Sequence, residues 1–105
     1  MQISKAEKYL GLARKAGKVV SGYQTCVHTI SKGQIKLIIV AEDASDNTKK
    51  KFRVLCERHS VPFRIYGNSE DLSHITGLSG RGIFGITDNG FAEVIIKETE
   101  HDLTT

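Results

Sequence analysis

Leu37-Ile38-Ile39-Val40-Ala41 is the longest apolar run in the chain, and Glu42 and Asp43 close it. Five residues fall far short of the roughly 20 that cross a bilayer. A short run that is apolar throughout, instead of alternating, fits a strand covered on both faces. Such a strand needs helices on both sides of its sheet, so the flanking sequence has to supply two amphipathic layers.

It does. Ser4 with Glu7 makes a capping box, Ala6, Leu10 and Ala13 recur at helical spacing, and Gly17 offers the left-handed stop. Lys18 to Ser21 reads as a short strand closed by Gly22. A second helix is expected from Tyr23 to Lys32, with an apolar stripe of Tyr23, Cys26, Val27 and Ile30 and a stop at Gly33. Ser45 or Asp46 caps a third helix whose stripe is Phe52, Leu55, Cys56 and His59, and Asp43 is read as serving that same helix start. Pro62 blocks its continuation, and Val61, Phe63 and Ile65 alternate as a strand. Asn68 or Ser69 opens a short helix with Leu72 and Ile75 inward. Ile83 to Ile86 forms a fourth strand, and Phe91, Val94 and Ile95 mark a last helix. The expected fold is α/β: a three-layer α/β/α sandwich with a small four-stranded sheet. With 105 residues the chain is long enough for one domain, placed at residues 1–98, followed by a frayed acidic tail at 99–105.

The charges are unevenly placed. Residues 1–64 hold 13 Lys/Arg and 5 Asp/Glu, whereas residues 65–105 hold 2 and 7. A basic first part suits an anionic partner, and nucleic acid is the usual polyanion. The residues for catalysis are missing by contrast. Cys26 and Cys56, with 29 residues between them, match neither a disulfide framework nor a metal spacing and are expected to be reduced, buried and separate. His28, His59, His74 and His101 form no ligand motif, and His59 reads as a core residue. Glu42 and Asp43 are adjacent on an extended segment, so their carboxylates point apart. No enzyme, cofactor or metal site is expected. Gly77-Leu78-Ser79-Gly80-Arg81-Gly82 can offer backbone N–H groups and a guanidinium to phosphate, but it is neither a Walker loop nor a dinucleotide fingerprint. Lys49-Lys50-Lys51 is read as a solvated helix face. The start of the chain has no apolar secretory segment, and the reading is a cytoplasmic monomer.

Taken in order, Leu12-Ala-Arg-Lys-Ala-Gly-Lys18, Gly22, Lys32-Gly33, Lys36-Leu-Ile-Ile-Val-Ala-Glu-Asp43, Leu55-Cys56, Val61-Pro62-Phe63 and Gly77-Leu78 resemble the kink-turn RNA-binding ribosomal protein family. The likeness covers about residues 4–96, and Ala44 to Lys51 resembles its bacterial YlxQ-type branch. The resemblance implies the same layered fold and binding to structured RNA, a kink-turn in ribosomal RNA or at ribosome assembly. It places RNA contacts at Gly22, Tyr23, Gln24, Thr25 and His28 and at Leu78, Ser79, Gly80, Arg81 and Gly82. Lys15, Lys18, Lys32 and Lys36, with Arg81, are expected to cluster beside Gln24. The family's strong binders carry Asn, Glu and Lys where this chain has Gln24, Thr25 and His28. Threonine lacks the carboxylate that accepts from a guanine edge, and neutral histidine lacks lysine's fixed charge. A protein-interaction module on the same fold is the alternative.

Overall fold

The computed structural model describes residues 3–79 and 81–100. The chain alternates helix and strand throughout: α1 (Lys5–Lys15), β1 (Val19–Ser21), α2 (Tyr23–Ser31), β2 (Leu37–Val40), α3 (Asp46–His59), β3 (Phe63–Ile65), α4 (Ser69–Thr76), β4 (Ile83–Ile86) and α5 (Asn89–Glu100). The strands form one mixed sheet in the order β1-β4-β2-β3. β4 runs antiparallel to both neighbours, with Ile86 opposite Val19 on one side and Leu37 on the other, while β2 and β3 are parallel. Both central strands are buried along their whole length, as the apolar run requires.

Strand alternation sorts the core into two layers. Leu37, Ile39, Ala41, Phe84 and Ile86 pack with Leu10 of α1, Leu72 of α4 and Ala92 and Ile95 of α5. Ile38, Val40 and Ile83 face the other way, against Cys26 and Ile30 of α2 and Phe52 and Cys56 of α3. The expected three-layer α/β/α sandwich is what forms. Gly85 belongs to the second layer, where a Cβ would stand 2.5 Å from Ile35 Cδ1.

Three expectations change. His59 is exposed, because α3 ends at Ser60 in the left-handed conformation and its last turn runs beyond the buried stripe of Phe52 and Cys56. Asp43 does not serve α3, whose N-cap is Ser45; its carboxylate accepts from the backbone N–H and the hydroxyl of Ser69, 2.8 and 2.7 Å away, at the start of α4. These two bonds, the hydroxyl's first, hold the Asp43 carboxyl below its ordinary value. Finally, α5 continues to Glu100, beyond the boundary expected at 98. Thr99 is 1% exposed and its hydroxyl accepts from Arg64 Nε at 3.1 Å, which ties this turn to β3. Residues 101–105, including His101, lie outside the described residues. Among the described residues no helix is long and apolar enough to cross a membrane.

Candidate nucleic-acid interface

The N-terminus of α2 differs from the others. Ser4, Ser45 and Asn68 each cap their helix with a side-chain acceptor, and Asp88 accepts from Phe91 N–H at the start of α5. At α2 the N-cap is Gly22, with no side chain to offer and no acidic residue in the first turn. The first N–H groups of a helix have no acceptor within it, so this end keeps its donors and its partial positive charge. Gly22 sits at φ 99°, a conformation that favours glycine, and a Cβ there would meet nothing within 4 Å. Backbone geometry selects the glycine, and the space above it is open.

The turn before β4 stands opposite. Leu78 packs on the core and its N–H donates to Thr76 Oγ1 at 3.1 Å, so the loop is anchored at its start. Gly82 anchors its end: its carbonyl accepts from Ala41 N–H at 2.7 Å, and at φ 84° a Cβ would lie 2.9 Å from Ala41 Cβ. Between these anchors Ser79 and Arg81, itself at φ 51°, reach a groove of about 520 Å3 shared with Gly22, Tyr23, Gln24, Thr48 and Ile83. Gly80 lies outside the described residues.

A second groove of about 440 Å3 continues from Tyr23 and Gln24 along α2 past Val27, His28 and Ser31 to Lys51. Lys51 Nζ stands 5.6 Å from the centroid of the Tyr23 ring, which meets Phe52 edge-on at 5.2 Å. Neither groove has an acidic residue in its lining. Uncapped N–H groups, a guanidinium, an ammonium and an exposed aromatic ring favour an anion carrying planar groups. Among the described residues no three His, Cys, Asp or Glu side chains gather to hold a metal. Burial, and then the neighbouring Cys56, push the Cys26 thiol up to about 12; burial pushes Cys56 up to about 12 as well.

Residues 4–96 match the model of the ribosomal protein L7Ae/L30e/S12e/Gadd45 family. The chain belongs to this family. Among its members, an Enterococcus faecium protein named RNA-binding protein YlxQ is 40% identical over 92 residues, 85% of each chain. A Bacillus subtilis protein of the same name is 38% identical over 88 residues, 84% of this chain and 88% of that one. A solved Bacillus halodurans structure described as a protein with unknown function superposes with a TM-score of 0.89 at 30% identity, covering 93% of this chain and 99% of the other.

Within this L7Ae/L30e/S12e/Gadd45 framework, Gly22, Tyr23, Gln24, His28, Ser79 and Arg81 come together at the two grooves. Thr25 is exposed in the first turn of α2 but lines neither. The expected lysine cluster beside Gln24 does not form. Gly22 N–H donates to Ile83 O at one end of β4, whereas Lys18 O accepts from Thr87 N–H and Lys36 N–H donates to Ile86 O at the other end, about 10 Å along the strand. Lys15 ends α1 at that same far end, and Lys32 closes α2 about 12 Å from its start. The lysines follow the C-terminal ends of α1 and α2, where positive charge suits the helix dipole. Thr48 and Lys51 were not among the expected contacts. The run Lys49-Lys50-Lys51 near the start of α3 is the signal that could have marked Lys51, and nothing in the sequence marks Thr48.

Proposed function

We propose that this chain is a non-enzymatic RNA-binding protein that grips a kink-turn-like element of ribosomal or related RNA, acting on the ribosome or in its assembly in the cytoplasm, as a monomer. The observation that carries the reading is the uncapped N-terminus of α2 at Gly22, facing Arg81 across a groove free of carboxylates. Phosphate accepts from the free N–H groups and from Arg81, Gln24 offers an amide to an exposed base edge, and Tyr23 offers a ring for stacking. The names of the two YlxQ relatives, each an RNA-binding protein, support the RNA-binding part of this reading.

The placement of Lys15, Lys18, Lys32 and Lys36 away from Gln24 favours a second reading, a protein-interaction module on the same fold. One titration separates the two. Gln24→Asn, Thr25→Glu and His28→Lys together install the strong binders' pattern, adding an acceptor for a guanine edge and a fixed charge. A good base contact contributes on the order of 1–3 kcal/mol, so the triple variant should bind a standard kink-turn RNA roughly 10- to 100-fold more tightly than the native protein. A normally folded variant that binds no better removes this segment as the RNA site and puts the interaction module ahead.

A further inference from the structure

The grooves do not end at Lys51. That residue also lines a third groove, of about 360 Å3, which runs down α3 between Asn47, Lys50, Val54, Leu55 and Arg58. Positions 47, 50, 51, 54 and 58 fall on one flank of a helix, and the stacking of Lys51 over Tyr23 sets this flank beside α2. α3 carries five Lys/Arg against Asp46 and Glu57. Val54 is 47% exposed in the middle of the stripe, bordered by cations.

The helix dipole alone does not account for this flank: it favours Arg58 in the last turn of α3, but Lys50 and Lys51 stand in the second turn, outside its reach. Solubility alone does not account for it either, because an exposed valine does not serve that end. A groove that widens apolar surface between cations, and that continues an anion-favouring groove, suits a polyanion with an apolar edge. Phosphates would meet Lys50, Lys51 and Arg58, and a ribose edge would meet Val54.

The geometry points to a second RNA contact: the α3 flank formed by Lys50, Lys51 and Arg58 holds the phosphate backbone of a duplex arm leading away from the element gripped at Gly22 and Arg81. This rests on the RNA reading above and extends it, since it makes the length of RNA beyond the gripped element part of the recognition. α3 has 14 residues, a track of about 20 Å.

The test crosses two proteins with two RNAs. The proteins are the native chain and the K50Q/R58Q variant; both positions are exposed and neither lines the grooves at Gln24. The RNAs are a kink-turn with short flanking stems and the same kink-turn with one stem extended by a helical turn. Lengthening the stem should tighten native binding about tenfold and leave the variant unchanged, and on the long RNA the variant's log–log salt slope should be shallower by about two. On the short RNA the two proteins should bind alike. Equal gains from the longer stem overturn the α3 contact and leave the groove reading standing, as does a loss of equal size on both RNAs. If native protein binds neither RNA, the RNA reading fails and this inference fails with it.

Discussion

Asp43 shows how a single side chain binds distant segments. Its carboxylate closes β2 and accepts two bonds at the start of α4, 26 residues later. Because those bonds favour the ionised form and lower its pKa, the stabilisation is present above the ordinary value of 3.8 and is lost as pH falls through the lowered one. Asp43→Asn should therefore be less stable than the native protein at neutral pH, with the gap shrinking below about pH 4; urea melts at several pH values check this, and a constant gap would show that charge is irrelevant. The cysteines titrate in the other direction. Their raised pKa values favour the neutral fold, so stability is intact below 9.0 and declines as pH rises toward about 12. At neutral pH neither thiol should react with iodoacetamide on the timescale in which the unfolded chain is fully labelled. The burial of both cysteines was legible, since each lies on an apolar stripe. The role of Asp43 was not, because its partner comes from a helix that local pattern cannot place in space.

At the scale of elements, helix starts were the clearest feature. Ser4 and Glu7 form the capping box, and Ser45 and Asn68 cap as their sequence context suggests. Ends were legible where glycine marks them and less so elsewhere: α3 stops at Ser60, at φ 57°, with no glycine to announce it. The pairing of α2 with α3 joins Cys26 and Ile30 to Phe52 and Cys56 in the core and adds the Tyr23–Phe52 contact at its edge. Phe52 is fully buried, so Phe52→Ala should cost about 3–5 kcal/mol in a denaturant melt, a large share of the roughly 5–15 available to a domain. Tyr23→Ala, at a residue that is 37% exposed, should cost clearly less stability yet weaken RNA binding severalfold. A Tyr23 variant that loses stability and keeps full affinity would confine that ring to packing.

At the scale of the whole molecule, layering followed from the apolar run at Leu37 to Ala41, but the strand order β1-β4-β2-β3 did not. It rests on pairings between residues up to 67 positions apart, which leave no local trace. The same gap explains the lysines: the sequence places a basic first part, and only the sheet decides which end each charge occupies. If Arg81, Lys50, Lys51 and Arg58 all meet phosphate, log Kd against log salt should have a slope of about 3 or steeper on a long RNA; a flat dependence would oppose a phosphate-dominated interface. An amide map locates the RNA on the protein surface. A kink-turn RNA titrated into 15N-labelled protein should shift the amides of Gly22, Tyr23, Gln24, Thr25, Thr48, Ser79 and Arg81, with Lys15, Lys18, Lys32 and Lys36 unmoved. Shifts confined to those four lysines, with the Gly22 end silent, would contradict the account.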